Sequence, residues 1–406
     1  MANTKHDTHY YDSIGYSNER GYKRDILFNA NNLYEAFLKA KKPSFWKEKT
    51  QRYEMNLLPN LARLQEELMT QSYELKGATY FILNERGKTR LIQNENIENR
   101  IVKHCLCDDI INPTLQRYLI YDNGASIKGR GISFTRQRLL THLRRYYATN
   151  KTNEGYILLI DFSKYYDNIR HDILKLEMEQ RFKDDKVILN LINEIIDSSK
   201  VDVSYMNEEE YKTCIDDVFN YLEYMKLDKS KLNGTKYMAK HLNIGDQFSQ
   251  SAGIYYSYLI DNYIKIVKSV KFYGRYMDDS YIIHKDKQYL IDLLNDLVEY
   301  TSKLGIHINL KKTRIVKLSD YFKFLQFTYA LTDTGRVIVK INKKTIIRNR
   351  RKAKKLINIV SKQEFIDWVK SWYNAYSRYM SRQQKRNIKL FYINLMKGNK
   401  EKWNKK

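Results

Sequence analysis

The chain has 406 residues, of which 43% are hydrophobic, enough for about two or three folded units and too apolar for a disordered protein. Its net charge of +25 favours a polyanionic partner, and no apolar run approaches the roughly 20 residues that span a bilayer. Three cysteines are too few for a disulfide framework, and the N-terminus lacks the apolar core of a secretory signal. We therefore expect a cytoplasmic protein with no membrane partner.

The first 70 residues are predicted to be helical after a polar start. Four leucines spaced four, three and four residues apart mark one buried helix face: Leu57, Leu61, Leu64 and Leu68. A hairpin follows, in which Tyr80–Leu83 and Lys88–Ile92 flank a turn at residues 84–87. Its tip carries Arg86, Lys88 and Arg90. The residues alone are compatible with a solvated tip or with a phosphate clamp.

A second helix is predicted over residues 97–121, with a loop at Asn112-Pro113. The flexible loop at residues 128–131 then leads into a cationic segment that contains Arg136, Arg138, Arg144 and Arg145. Such a cluster can be a solvated helix face, but with the global charge we interpret it as a path for a nucleic-acid backbone.

The continuous apolar run Tyr156–Ile160 is typical of a strand buried on both faces. Asp161 follows it directly and could be a helix N-cap. The next helical pattern, at residues 173–182, begins too far downstream for that. A carboxylate that ends a central strand is well placed to bind a metal ion.

Residues 197–240 form a predicted insertion with an acidic patch, and the sequence does not indicate its role. The segment Ile244–Gln250 precedes a helical stretch at residues 251–267. Gly245 in this segment would let a substrate approach the backbone closely.

The stretch Phe272–Ile283 is predicted to be a hairpin whose turn carries Asp278 and Asp279. Adjacent carboxylates repel one another unless a cation lies beside them. An isolated Asp-Asp pair is usually a solvated turn. Here the apolar flanks bury both strands and leave the acids at the rim of a core, which favours a metal site with Asp161 as the third carboxylate.

Beyond the hairpin, a helix is predicted at residues 287–303, a short strand within 304–313 and another hairpin over 322–341. The C-terminal part is predicted to be helical, and residues 340–406 hold 21 Lys and Arg against 3 Asp and Glu. An apolar stripe at helical spacing predicts core packing: Phe365, Trp368, Val369, Trp372 and Tyr376. The charged faces around that stripe are the candidate binding surface.

The order of these motifs resembles that of the reverse transcriptases, particularly the bacterial ones, from about Tyr80 to Tyr392. The motifs are the strand-end Asp161, the glycine loop, the Tyr276-Met277-Asp278-Asp279 hairpin, the Gly…Asn-x-x-Lys-Thr strand and the aromatic hairpin. The resemblance implies an α+β, right-hand polymerase. Its parts would be an N-terminal helical extension at 1–70, fingers at 71–155, a palm with an antiparallel sheet and packed helices at 156–340, and a basic helical thumb at 341–406.

By the same resemblance the protein is an RNA-directed DNA polymerase, a nucleotidyltransferase in which two Mg²⁺ ions, with Mn²⁺ as an alternative, bind Asp161, Asp278 and Asp279. Lys312 would protonate the leaving pyrophosphate, Lys88 and Arg90 would bind the triphosphate, and Tyr166 would exclude a ribose 2′-hydroxyl. Four further residues would contact substrate: Gly245, Ser249, Gln250 and Tyr276. Expected partners are an RNA template, a primer or nascent DNA, and dNTPs, with a dedicated non-coding RNA or an accessory protein as further candidates.

The glycine loop departs from the more widespread Gln-Gly-x-x-x-Ser-Pro form of the family. The form Ile244-Gly245-x-x-x-Ser249-Gln250 resembles that of reverse transcriptases from diversity-generating retroelements. Two alternatives stay open. One is an antiviral defence enzyme that copies a non-coding RNA or synthesises DNA without a conventional template, and the other is a non-catalytic RNA-binding scaffold. The oligomeric state is not indicated.

Overall fold

The structure, a computed structural model, describes residues 27–85 and 87–399. The chain divides into two compact units, each built from several segments. The first unit comprises the described residues up to Ile120, together with Ser163–Asp261 and Glu299–His307. The second unit comprises Tyr121–Phe162, Asn262–Val298 and the described residues from Ile308 onward.

Helices and strands alternate irregularly along the chain. The α-helices are α1 (Ala30–Lys41), α2 (Glu48–Met55), α3 (Leu57–Met69), α4 (Ile97–Leu106), α5 (Asn112–Leu115), α6 (Ile132–Asn150), α7 (His171–Phe182), α8 (Lys186–Asp197), α9 (Glu208–Asp216), α10 (Tyr221–Tyr224), α11 (Gln247–Tyr256), α12 (Tyr258–Asn262), α13 (Lys287–Lys303), α14 (Lys343–Leu356), α15 (Lys362–Tyr376) and α16 (Arg382–Lys397). Short 3₁₀ turns span Gln116–Tyr118, Tyr165–Asn168, Lys229–Lys231 and Ser377–Tyr379, and π-helical turns span Cys107–Ile111 and Tyr263–Val267.

The strands are short, as is usual for mixed α+β proteins. They are β1 (Thr79–Glu85), β2 (Lys88–Asn94), β3 (Tyr156–Ile160), β4 (Phe162–Ser163), β5 (Val201–Asp202), β6 (Tyr237–Met238), β7 (Phe272–Tyr276), β8 (Asp279–His284), β9 (His307–Ile308), β10 (Arg314–Lys317), β11 (Phe322–Phe324), β12 (Phe327–Leu331) and β13 (Val337–Ile341). No helix within residues 27–85 and 87–399 is long and apolar enough to cross a membrane.

The first unit confirms the leucine face and the first hairpin. Leu61, Leu64 and Leu68 of α3 are buried, as their spacing predicts. Strands β1 and β2 pair antiparallel, with Glu85 opposite Lys88, so the connecting turn is two residues long. The first 26 residues of the predicted helical region lie outside the described residues, as does Arg86.

The predicted loop at Asn112-Pro113 is wrong. Helix α4 runs into the π-helical turn, in which the Asn112 N–H donates to the Cys107 carbonyl five residues earlier, and the chain continues directly into α5. Pro113 is the second residue of α5, so this proline lies within continuous helical structure, directly after the π-helical turn.

The second unit is built on a four-stranded antiparallel sheet in the order β10-β3-β8-β7. The strand predicted at Tyr156–Ile160 is confirmed as β3 and lies inside this sheet. The hairpin predicted at Phe272–Ile283 is confirmed as β7 and β8. These antiparallel sheets with packed helices confirm the α+β fold class.

A three-stranded sheet in the order β11-β12-β13 lies in the same unit, where a hairpin over 322–341 is predicted. Helix α6 packs on this region through Leu139 and Leu143. Arg136, expected on a nucleic-acid path, is instead buried, with its guanidinium carbon 3.6 Å from the centre of the Phe327 ring. Stacking on an aromatic face offsets the desolvation of this cation. Arg144 and Arg145 remain exposed.

The last three helices share a core of their own. Phe365 is buried there, and the rest of the predicted stripe packs against it: Trp368, Val369, Trp372 and Tyr376. The prediction that this stripe is core is therefore confirmed. The polar faces of these helices carry most of the positive charge of the C-terminal region.

Candidate active site

The sheet of the second unit places Asp161 and Asp279 opposite each other. In the register of β3 and β8, Ile160 pairs with Ser280. One position further along, Asp161 follows β3 and Asp279 begins β8. Because the two strands are antiparallel neighbours, both residues lie at the same end of the strand pair. Both are partly exposed, as is Asp278 in the turn beside them. Asp161 thus shares one rim of the sheet with two carboxylates that are more than 100 residues away in sequence.

The turn that carries Asp278 is short and strained. Tyr276 pairs with Asp279, which leaves Met277 and Asp278 as a two-residue connection, and Met277 has φ 54°. A side chain in this left-handed region costs roughly 1–2 kcal/mol. Strained backbone of this kind often marks a functional turn.

The buried Arg275 supports this turn from below. Its side chain is 1% exposed, and its Nη1 donates to the Met277 carbonyl at 3.3 Å. Its main chain is fixed as well, because its N–H donates to the Asp122 carbonyl at 3.1 Å. The sequence analysis missed this residue, although an arginine inside an apolar strand is the signal that could have identified it.

Lys312 lies next to Asp161. Its Nζ is 3.1 Å from Asp161 Oδ1. The turn that presents it is tied to the same aspartate, since the Asn309 N–H donates to the Asp161 carbonyl at 2.8 Å and the Lys312 N–H to the Asn309 carbonyl at 3.0 Å. The two predicted site residues are therefore held together by both main-chain and side-chain contacts.

The donor chemistry at this rim fits a hard divalent cation. Asp161, Asp278 and Asp279 offer only oxygen atoms, which Mg²⁺ prefers. Within residues 27–85 and 87–399, no three His, Cys, Asp or Glu side chains are gathered closely enough to hold a metal ion. The oxygen donors at the rim are of the type that Mg²⁺ prefers, and one of them, Asp161 Oδ1, contacts Lys312 Nζ in this structure.

Lys88 and Arg90 lie on one face of the first hairpin. They are two residues apart on β2, so both side chains project to the same side. Lys88 is exposed, and Arg90 is half-buried with Glu85 at 4.0 Å, the limit of an ion pair. A weak, exposed pair of this kind leaves the guanidinium able to bind an anion.

The glycine loop packs directly on β2. The Gln93 N–H donates to the Ile244 carbonyl at 2.9 Å. Gly245 has φ 129°, and a Cβ at this position would lie 2.6 Å from the Gln93 carbonyl oxygen. Only glycine satisfies both the backbone conformation and the close approach. The sequence analysis expected a substrate to approach the backbone at Gly245. The group that lies close to it in this structure is strand β2 of the same unit.

A buried ion cluster fixes the end of this loop. Asp246 caps α11 by accepting from the Ser249 N–H at 2.6 Å and from the Ser249 hydroxyl at 2.9 Å. Lys103 Nζ lies 3.2 Å from Asp246 and 2.5 Å from Glu95. Burial opposes the charge on Lys103, but the two carboxylates together raise its pKa above the usual value. Ser249 is buried as part of this cap, whereas Gln250 is exposed.

Tyr166 is wedged against α11. A Cβ on Gly253 would lie 2.7 Å from Cε1 of the Tyr166 ring. The neighbouring Tyr165 hydroxyl donates to the Gly253 carbonyl at 2.6 Å, and the Tyr166 carbonyl accepts from the Leu242 N–H at 2.8 Å. Sequence reasoning identified Tyr166 but not Gly253, because nothing in the sequence shows which residue faces the ring.

The C-terminal helices provide a cationic surface. Helix α14 carries eight Lys and Arg residues and no acid in the segment Lys343–Leu356. Its buried side chains include Ile346 and Ala353, which leaves the charges to the other faces. Such a helix is suited to binding a polyphosphate backbone.

These features define an α+β protein with an acidic rim at the end of its central strands and with basic surfaces, as expected of a nucleic-acid-directed polymerase. The sequence profile of the family described as "Reverse transcriptase (RNA-dependent DNA polymerase)" matches residues 82–329, more than half of the chain. The chain belongs to the reverse transcriptase family. Comparison with curated proteins gives no match.

Solved structures that are similar to this chain include telomerases from two Candida species. Telomerase from Candida albicans, in complex with a fragment of telomeric RNA, is 12% identical with a TM-score of 0.45 and covers 80% of this chain and 56% of its own. Two apo telomerases from Candida tropicalis, one truncated from its C-terminal domain, are 16% and 14% identical with TM-scores of 0.41 and 0.43. They cover 69% and 68% of this chain. The present chain spans between 52% and 59% of these three proteins.

Proposed function

We propose that this protein is an RNA-directed DNA polymerase that adds dNTPs to a primer 3′-hydroxyl. The observation that carries the proposal is the register of the central sheet, which sets Asp161 opposite Asp279 at one rim. Because the chain belongs to the reverse transcriptase family, we interpret this acidic rim as the site of nucleotide addition. We assign residues 71–155 to fingers, 156–340 to palm and 341–406 to thumb, with residues 1–70 as an N-terminal extension.

Asp161, Asp278 and Asp279 would hold two Mg²⁺ ions, for which Mn²⁺ is an alternative. Bound divalent ions in such a site lower the pKa of the attacking hydroxyl and neutralise the triphosphate. The carboxylates of this chain supply the negative charge that attracts the ions. The Met277 carbonyl contact to Arg275 fixes the turn from which Asp278 projects.

Nucleotide addition forms a bond between the primer 3′-oxygen and the α-phosphorus, and breaks the bond from that phosphorus to the leaving pyrophosphate. Lys312 is the proposed proton donor to the pyrophosphate oxygen. Its ammonium is exposed and lies 3.1 Å from Asp161 Oδ1. A general acid of this kind contributes about 100-fold or more to rate.

The first unit is proposed to select the nucleotide. Lys88 and Arg90 would bind the triphosphate, and Tyr166 would exclude a ribose 2′-hydroxyl. The substrate surface would also include Gly245, Ser249, Gln250 and Tyr276. Because Ser249 is buried and donates to the capping Asp246, its part would be to hold the loop, whereas the exposed Gln250 is able to touch a substrate.

RNA template and primer are the proposed polyanionic partners. The charge of α14 supports a role for the C-terminal helices as the clamp. Binding that depends on these cations weakens steeply as salt rises, because counterions are released from the nucleic acid. A dedicated non-coding RNA or an accessory protein would be a further partner.

We further propose the subtype of a stand-alone bacterial or phage enzyme that copies a dedicated RNA in a diversity-generating retroelement. The form Ile244-Gly245-x-x-x-Ser249-Gln250 supports it. In the antiviral defence alternative, the enzyme copies a non-coding RNA or synthesises DNA without a conventional template. Sequencing the nucleic acid that copurifies with the protein separates the two, because a template with a variable near-repeat supports the first and a structured non-coding RNA the second.

The decisive experiment is extension of a primed RNA with dNTPs and Mg²⁺. We expect extension by the wild type, loss of it in Asp278→Asn, and retention in Asp286→Asn, which removes an exposed acid outside the turn. RNA affinity should be retained in all three proteins. Absence of extension on every template, with RNA binding intact, would favour the non-catalytic scaffold.

A further inference from the structure

The insertion, residues 197–240, is a small unit with its own core. Val203, Phe219 and Met238 are buried together there. Its two ends are joined, because β5 and β6 pair antiparallel with Val201 opposite Met238. An insertion whose two ends are paired and which has its own core can fold without a binding partner.

The insertion is bound to the two residues that follow Tyr166. The Asn168 amide donates to the Phe219 carbonyl at 3.1 Å, and its oxygen accepts from the Phe219 N–H at 2.9 Å. Asp167 accepts from the Tyr221 N–H at 3.2 Å. Asn168 is fully buried and Asp167 nearly so, which makes these hydrogen bonds costly to lose.

The segment that leaves the insertion reinforces the same turn. The ring of His241 lies 3.9 Å from the ring of Tyr221, centre to centre, and its Nδ1 is 3.3 Å from the Asp167 carboxylate. The next residue, Leu242, donates its N–H to the Tyr166 carbonyl at 2.8 Å. Tyr166 is thus held through its own carbonyl and through its neighbour in the chain.

The insertion also reaches the first hairpin. The Tyr221 ring contacts that of Tyr80 on β1, edge to face, with 6.5 Å between the ring centres. Tyr80 belongs to the hairpin that carries Lys88 and Arg90 on its other strand. One aromatic residue of the insertion therefore contacts both the hairpin and His241, the partner of Asp167.

We propose that the insertion is a brace that positions Tyr166, and that it thereby sets the discrimination between deoxyribonucleotides and ribonucleotides. Asp167, Asn168 and Tyr221 are positioning residues in this account, since they act through Tyr166. The inference rests on the proposed function, because it requires Tyr166 to face the incoming sugar. It gives residues 197–240 a role that the acidic composition of the segment does not indicate.

The test compares incorporation of dNTPs and rNTPs by purified full-length variants. Asn168→Ala removes both hydrogen bonds to Phe219, and Tyr221→Leu removes the ring between Tyr80 and His241. In both variants we expect selectivity for dNTPs to fall roughly tenfold, with a higher KM for dNTPs and a smaller change in kcat, because contacts that hold the turn after Tyr166 are lost. Tyr221→Phe keeps the ring and should retain wild-type selectivity.

Tyr205→Leu is the matched control. Tyr205 belongs to the same small core and stacks on Tyr224, with 6.3 Å between the ring centres. The Tyr205→Leu substitution should lower the thermal stability of the protein without changing its selectivity for dNTPs over rNTPs. If Tyr205→Leu changed selectivity as much as Tyr221→Leu does, general loosening of the insertion would explain the effect and the brace would be rejected.

Two outcomes separate this inference from the proposed function. An active wild type whose selectivity is unchanged in Asn168→Ala and Tyr221→Leu overturns the brace and leaves the polymerase assignment standing. A wild type that adds no nucleotide overturns both. Amide hydrogen exchange at Leu242, whose N–H is bonded to Tyr166, should quicken in Asn168→Ala and not in Tyr205→Leu. Equal protection in the two variants would also count against the brace.

Discussion

The ammonium of Lys312 lies 3.1 Å from the carboxylate of Asp161. The contact joins a turn at residues 309–313 to the end of a central strand. The contact places the proposed proton donor against one of the three carboxylates of the rim. The pair therefore offers a direct way to separate acid catalysis from ion binding.

Replacement of Lys312 by Ala should lower the rate of nucleotide addition by about 100-fold, because the proposed proton donor is lost. RNA affinity should be unchanged. Lys311→Ala, at the exposed neighbouring position, is the control and should retain activity. Single-turnover primer extension measures the effect, and equal rates in the two variants would remove Lys312 from the chemical step.

Gly253→Ala should disturb Tyr166. The added methyl group would lie 2.7 Å from the ring, so the ring must shift. We expect ribonucleotide incorporation to rise roughly tenfold relative to dNTPs, in the same direction as for Tyr166→Ala. Gly77→Ala, where a Cβ meets nothing within 4 Å, is the control. Selectivity that is identical in Gly253→Ala and wild type would contradict the wedge.

The protein should be more stable with Gly than with Val at position 277. The φ of 54° at Met277 is unfavourable for any L-residue and worst for a β-branched one. We expect Met277→Val to lower the free energy of unfolding by about 1–2 kcal/mol relative to Met277→Gly. Urea denaturation measures this difference. A stability order with Val above Gly would show that the turn adopts another conformation in solution.

His142 should make the second unit sensitive to acid. Burial lowers the pKa of its imidazole from 6.5 to about 4, although Asp122 opposes the shift, and the Tyr281 hydroxyl lies 3.0 Å from its Nδ1. The unfolded chain therefore binds a proton at higher pH than the folded chain. The stability due to neutral His142 is fully present above pH 6.5 and is lost as the pH falls toward about 4.

His142→Asn should reduce the fall in the free energy of unfolding between pH 7 and pH 4.5, whereas His284→Asn, at a half-exposed position, should not. At most about 3 kcal/mol is involved, the equivalent of the shift in pKa. Chemical denaturation at the two pH values gives the comparison. An unchanged pH dependence in His142→Asn would mean that other groups dominate acid unfolding.

The hairpins and the central strand could be predicted because apolar runs and turn residues report directly on local structure. Tyr156–Ile160 and Phe272–Ile283 are of this kind. The register that sets Asp161 opposite Asp279 could not be derived, since it depends on pairing between segments that are more than 100 residues apart. The resemblance to a family supplied that relationship as an expectation.

The sequence misled where a local signal was overridden by packing. Pro113 indicated a loop, but a π-helical turn accommodates it within helical structure. Arg136 counted as surface charge, yet it stacks on Phe327 in the interior. The roles of Arg275 and Gly253 could not be predicted, because they depend on the residues that these two contact in the fold. Spacing along the chain does not indicate those contacts.

The pairing of β5 with β6 brings the two ends of the insertion together. Asp202 lies opposite Tyr237, so the two backbones are about one strand spacing, roughly 5 Å, apart. An Asn-Gly turn between these residues would close a β-hairpin and replace everything from Val203 to Lys236 without stretching the backbone. A chain shortened in this way would keep the acidic rim, but Asp167 and Asn168 would lose their partners Tyr221 and Phe219.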